Sequence, residues 1–274
     1  MLLPLHHQSC LARFRASTAS SLILLLALAL CGCQTDGTGD ITGSLGEKAD
    51  ARPAGQARRD IETYRERFRA NPNDPELALQ YGKALRDTGQ RSQAVAVLEQ
   101  ATLAHPDNKA LIAGYGRALG DNGNFQQAFD VLSRAHTPED PNWRILSAQG
   151  AVLDQLDRHD EARQYYASAL KIAPEEPSVL SNLGLSYALS KDLPKAEEIL
   201  RRANGRADAD PRTRLNLGLV VGLQGRVAEA EGIVKAGLSP GEATANVAYL
   251  RQILSRKQKQ RADVEKLEAK GRPD

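Results

Sequence analysis

The chain has 274 residues, with 36 basic and 34 acidic side chains and a formal charge of +2. Such a balance excludes a dominant electrostatic attraction to nucleic acid. Its three cysteines, Cys10, Cys31 and Cys33, all lie near the amino terminus, so the body has no thiol for a disulfide, a metal site or a nucleophile.

Arg13 and Arg15 are the only charged residues before Asp36, and the apolar run "SLILLLALAL" spans 21–30. That run is about half of the ~20 residues a membrane-spanning helix requires. Basic, then apolar, then small residues is the order of a secretory signal. "LCGC" places Leu30 three residues before Cys33 and Gly32 directly before it. This resembles the lipobox of bacterial lipoproteins, although Cys31 stands where Ala, Ser or Thr is usual. The resemblance implies a signal peptide over 1–32, a diacylglycerol on the Cys33 sulfur, cleavage before Cys33 and acylation of the new amino group. The alternative is an uncleaved amino-terminal anchor. Cleavage takes Arg13 and Arg15 from the 36 basic residues and leaves 34 against 34 acidic ones. Two or more acyl chains anchor stably where one does not. Gln34 rather than Asp follows the lipidated Cys, which by likeness to enteric lipoproteins implies the periplasmic side of the outer membrane.

Residues 34–56, "QTDGTGDITGSLGEKADARPAGQ", carry only Ile41 and Leu45 as large aliphatics. Such a stretch cannot bury enough apolar surface to offset the entropy of ordering it. With Cys33 it reads as a flexible tether, with an end-to-end distance on the order of 25 Å. Residues 57–74, "ARRDIETYRERFRANPND", read as a flanking helix with Pro72 in the terminal place.

A repeat follows. Gly82, Gly116, Gly150, Gly184 and Gly218 recur every 34 residues, and so do Ala94, Ala128, Ala162, Ala196 and Ala230. Leu98, Leu132, Tyr166, Leu200 and Val234 form a third column, and Ala101, Ala135, Ala169, Ala203 and Gly237 a fourth. Each unit reads as two short amphipathic helices joined by a tight turn. In the first, a helix from about Glu76 to Asp87 meets the turn Thr88-Gly89-Gln90, with Gly89 suited to a left-handed cap. A second helix from about Ser92 to Ala104 ends near Pro106. Gly82 and Ala94 are small where the two helices cross, and Leu98 fills the remaining space. This pattern resembles the tetratricopeptide repeat over residues 75–244, in five units. The expected fold is therefore all-α, a solenoid of five helix–turn–helix repeats plus flanking helices. Residues 245–274 supply a helix that covers the open end, and a tail.

The tetratricopeptide resemblance implies an inner surface, built from the first helix of each unit, that binds segments of other proteins. In units one and two the inward positions are Glu76, Leu79, Lys83, Arg86 and Asp87, then Ala110, Ala113, Arg117, Gly120 and Asp121, a mixed-charge set. In units four and five they include Leu185, Leu189, Leu219 and Leu223, flanked by Asn182 and Asn216. An exposed apolar strip marks a partner site, and the two carboxamides can donate to and accept from a peptide backbone. The alternative is that the carboxy-terminal helix folds over these leucines and the asparagines bond within the stack.

No metal-ligand spacing, phosphate-cradling loop or nucleophile motif is present, and His105, His136 and His159 fall at different offsets of their units. The expectation is a non-enzyme with no cofactor, no nucleic acid and no small-molecule substrate. The carboxylates read mainly as solvated charge on helix exteriors and in turns. Finally, "PRTRLNLGL" and "ANVAYLR" within 210–254 resemble the TadD family. These are the tetratricopeptide lipoproteins of the tight-adherence (Flp pilus) secretion machinery. That resemblance implies a role in assembling the pilus apparatus, with a pilotin-like action on the outer-membrane secretin as one form of it. Adaptors for cell-wall hydrolases, and lipoproteins of outer-membrane protein insertion, share the same tethered architecture.

Overall fold

A computed structural model of the chain describes residues 54–270. The signal peptide, Cys33 and residues 34–53 of the tether lie outside the described residues. The described part is all-helical, with twelve helices in chain order and no strand. α1 (Ala54–Ala70) precedes five helix pairs: α2 (Pro75–Asp87) with α3 (Arg91–Ala104), α4 (Lys109–Asp121) with α5 (Phe125–Ser133), α6 (Trp143–Gln155) with α7 (His159–Ile172), α8 (Pro177–Leu189) with α9 (Leu193–Asn204), and α10 (Pro211–Leu223) with α11 (Val227–Lys235). α12 (Pro240–Lys270) closes the series.

Local chemistry sets the phase of the repeat. The first helices all have 13 residues. Each is entered through an acid or amide, Asp74, Asn108, Asn142, Glu176 or Asp210, whose side chain accepts from backbone N–H groups of the first turn. Those N–H groups have no partner inside the helix, so the cap satisfies them. Proline at the first position of α2, α8 and α10 brings the required φ without losing a hydrogen bond.

The turn within each pair recurs as faithfully. Gly89, Gly123, Asp157, Lys191 and Gly225 all have left-handed φ, between 58° and 88°. The residue after each one donates its backbone N–H back into the first helix, as Gln90 does to Leu85 O at 2.8 Å and Asp192 to Tyr187 O at 2.9 Å. The left-handed residue turns the chain tightly enough for that bond to form. Glycine suits the position, and Asp157 and Lys191 hold it at a conformational cost.

The glycine column marks the crossing points. A Cβ on Gly82 would lie 2.6 Å from Leu98 Cγ, on Gly116 2.7 Å from Leu132 Cγ, and on Gly150 2.6 Å from Tyr166 Cε1. The same holds at Gly184 against Leu200, at 2.6 Å, and at Gly218 against Val234, at 2.5 Å. The bulky partner is always 16 residues on, at most 1% exposed, and fills the space the glycine leaves.

α12 enters early. The 34-residue period would place the next first helix at 245, but "SPGE" starts the helix at Pro240. Glu242 caps the helix start in the manner of half a capping box: the Ser239 N–H and Oγ donate to Glu242 Oε2 at 3.1 and 2.6 Å. Val247, Leu250 and Leu254 then bury against α10 and α11, where the first helix of a sixth unit would pack. Among the described residues, no helix is long and apolar enough to cross a membrane.

Candidate partner-binding groove

The packing scheme dictates which face is inner. Each helix packs on its chain neighbours, and the first helices also pack on one another, α2 on α4, α4 on α6, α6 on α8 and α8 on α10. Among the described residues, successive second helices make no such contacts. A stack held together along its first helices and splayed along its second ones curls with the first helices inside. Their exposed edges line the groove.

At the carboxy-terminal end the groove is more closed than its leucines suggest. Leu185 is 4% exposed and Leu219 7% exposed, so both are core. Leu223 is half-buried and packs with Leu219 in the cluster that also takes Val247, Leu250 and Leu254 of α12. Leu254 lies where a Cβ on Gly222 would sit, 2.7 Å away. Of the four leucines, only Leu189 is exposed, at 37%. The asparagines form a ladder inside the stack: Asn182 Nδ2 donates to Ser147 Oγ, and Asn216 Nδ2 to Ser181 Oγ, each at 3.2 Å. Both asparagines remain half-buried. The alternative left open by the sequence, leucines under α12 and asparagines bonded within the stack, describes Leu219, Leu223 and both asparagines.

Next to this ladder lies a buried polar cluster. Asp154, 4% exposed, accepts from His159 Nδ1 at 2.9 Å, Ser186 Oγ at 2.7 Å and Tyr166 OH at 2.9 Å. Burial raises the Asp154 pKa, and the three donors oppose that rise. Burial and the adjacent carboxylate raise the Tyr166 pKa well above its ordinary value. Asp154 is thus an exception to the reading of carboxylates as solvated. The Ser, His and Asp here do not form a catalytic relay. Ser186 donates to the carboxylate, whereas a nucleophile must hydrogen-bond to its base. Three donors on one acceptor bind α6, α7 and α8 together. Among the described residues, no three His, Cys, Asp or Glu side chains gather so as to hold a metal ion.

The amino-terminal end of the groove is open. A cavity of about 520 Å³ lies between α2, α4 and α6. Its apolar floor includes Leu79, Ala110, Ala113 and Ile145, and its rim carries Lys83, Arg86, Lys109, Arg117 and Arg144 with Glu76 and Asp140. Arg86 Nε bonds Asp121 Oδ2 at 2.6 Å, with side chains 4% and 11% exposed. Lys83 pairs with Asp87 and Lys109 with Asp140, each at 3.1 Å and in solvent. The inward positions of units one and two had already singled out Lys83, Arg86, Ala110 and Arg117. Lys109 and Arg144 join them in the structure. Arg144 stands at the same offset of unit three as Glu76 and Ala110 do in theirs, so the period itself marks it.

Models described as tetratricopeptide repeat match residues 75–118, 116–177 and 155–215. No curated protein matches the chain in sequence. Among solved structures, TTC0263, a thermophilic tetratricopeptide protein of Thermus thermophilus, is similar with a TM-score of 0.55 and 19% identity, over 61% of this chain and 91% of that one. PilW, described as a type IV pilus biogenesis factor, is similar with a TM-score of 0.57 and 17% identity, over 70% of this chain and 91% of that one. At such identities the likeness speaks for the fold alone. With the 34-residue columns, the capped helix pairs and three adjoining family matches in agreement, the chain belongs to the tetratricopeptide-repeat family.

Proposed function

We propose that this protein is a non-catalytic scaffold that holds a segment of a partner protein in the groove lined by its first helices. The carrying observation is the groove itself: an open, charged cavity at one end, and at the other the exposed Leu189 and the half-buried Asn182 and Asn216. Each carboxamide uses one N–H within the stack, and its Oδ1 and second N–H remain for a peptide backbone. Leu185, Leu219 and Leu223 form the floor and its support.

The cellular role rests on sequence resemblance. The lipobox at Cys33 supports a lipid anchor, and Gln34 supports the outer membrane with the repeats in the periplasm. "PRTRLNLGL" and "ANVAYLR" support the TadD family, hence assembly of the tight-adherence pilus apparatus with its secretin as a candidate partner. PilW shares the fold, and the pilus assignment does not depend on it. The test is removal of the chain from its host, followed by membrane fractionation and pilus counting. Loss of surface pili, with the secretin displaced from the outer membrane and both restored by the intact chain, is expected. Normal pili in the deletion strain would remove this role.

A further inference from the structure

We infer that the cavity between α2, α4 and α6 takes an acidic segment of the partner, its carboxylates against Lys83, Lys109 and Arg144 and an apolar side chain on the floor. This deepens the reading of the groove as a protein-binding surface and rests on it. Charge is the first argument. The mature body is expected to be neutral, whereas the cavity lining carries five cations and two carboxylates, and counting Asp87 and Asp121, which pair with two of those cations, the balance is still +1.

The cations differ in what they can give to a ligand. Arg86 is held by Asp121 out of water, and breaking that pair would strand a buried charge. It therefore positions the wall and does not exchange. Lys83 and Asp87 are 41% and 45% exposed, and Lys109 and Asp140 are 50% and 78% exposed. Exposed pairs of that kind contribute little, so either lysine can trade its carboxylate for an incoming one. Arg144, exposed at the entry to α6, has its guanidinium carbon 4.2 Å from the Trp143 ring centroid. A guanidinium lying on a ring still presents in-plane N–H groups to a carboxylate.

The floor supplies the second half of the recognition. Leu79, Ala113 and Ile145 are apolar and come from three different helices, so one aliphatic side chain can leave water there while flanking carboxylates meet the rim. At the other end the groove offers the apolar Leu189 and Leu223 at the offset that carries Asp87 and Asp121 in units one and two. The apolar end takes uncharged residues of the segment, and its acidic residues are placed by the rim cations Lys109 and Arg144.

The experiment is selection of random dodecapeptides displayed on phage against the purified full-length chain. Recovered peptides enriched in Asp and Glu over the starting library are expected. A fluorescent copy of one of them should bind the charge-reversed variant Lys109→Glu/Arg144→Glu at least ten-fold more weakly, and should weaken with added salt in the wild type. The milder pair Lys109→Ala/Arg144→Ala reads the same contrast if the reversal disturbs helicity. Peptides recovered without acidic enrichment, or acidic peptides that bind both variants as well as the wild type, would overturn the inference. Non-acidic peptides whose binding is lost in Leu189→Glu would still leave the protein-binding groove standing. Recovery of no peptide at all would remove both.

Discussion

The glycine column makes a quantitative claim, and Gly184 tests it. A Cβ added there would lie 2.6 Å from Leu200 Cγ and 3.2 Å from the Ala196 carbonyl oxygen. Carbon atoms in contact prefer about 3.5–4.0 Å, so the side chain is about 1 Å too close, and to the branch point of Leu200 and not its tip. Leu200 has 0% exposure and packs in a cluster with Ala196, Leu217 and Val220, so it has little room to retreat. Overpacking typically costs about 1–3 kcal/mol, and this geometry argues for the upper end. Alanine gains back about 1 kcal/mol over glycine in helix propensity. Gly184→Ala should therefore destabilise by about 2 kcal/mol, and Gly184→Leu by more. Leu200→Ala alone should cost about 2–5 kcal/mol through the cavity it leaves. In that background the Leu200 clash is gone and only the 3.2 Å approach to the Ala196 carbonyl oxygen remains, so Gly184→Ala should become neutral or stabilising, by up to about 1 kcal/mol. Urea unfolding of the four proteins of this double-mutant cycle, followed by circular dichroism, measures the change. Proteolysis of Gly184→Leu should open the chain near residues 170–220, since repeats couple to their neighbours. Additivity within about 0.5 kcal/mol, or a stabilising Gly184→Ala in the wild type, would refute the tight crossing.

Lys191 holds a left-handed φ of 67° in a column otherwise filled by Gly at three places, so Lys191→Gly should raise thermal stability by roughly 0.5–1 kcal/mol. Leu219→Glu should unfold the α10–α12 end, because a charge would enter a 7%-exposed position, whereas Leu189→Glu, at 37% exposure, should change a urea melt by less than about 1 kcal/mol. Because burial raises the Asp154 pKa above 3.8, its titration favours the native state fully below 3.8, and that contribution is lost as pH rises through the higher folded value. The stability of wild type minus that of Asp154→Asn should therefore increase on acidification, and a flat difference would contradict the shift. Cys33→Ser should abolish incorporation of a clickable fatty acid, and undiminished label would remove the lipid anchor.

Most of the scaffold is written plainly in the residues, because each helix pair is built from local rules repeated at one spacing. Gly82 and Leu98 announce a crossing, and Asp74 and Pro75 announce a helix start, as the same columns do in later units. The left-handed turn was legible at Gly89, while Asp157 and Lys191 in the same column hide it behind unusual residue types. The groove was legible only as a face. Offsets tell which way a side chain points and not how deep it sits, so Leu185 and Leu189 read alike although one is core and the other exposed. The Asp154 cluster was not legible, because its donors lie 5, 12 and 32 residues away on two other helices and meet it only when the stack closes. The early start of α12 was encoded in "SPGE", a local capping signal that competes with the 34-residue period and wins.

On the proposed function, partners are held by the first helices, on the inner face. The most direct measurement is photo-crosslinking in cells. A crosslinking amino acid is placed singly at the inner exposed positions Ala110 and Leu189 and at the outer exposed positions Gln100 and Glu198 of second helices. Discrete adducts are expected from Ala110 and Leu189, and none from Gln100 or Glu198. Adducts confined to Gln100 and Glu198, with the inner positions silent, would contradict inner-face binding.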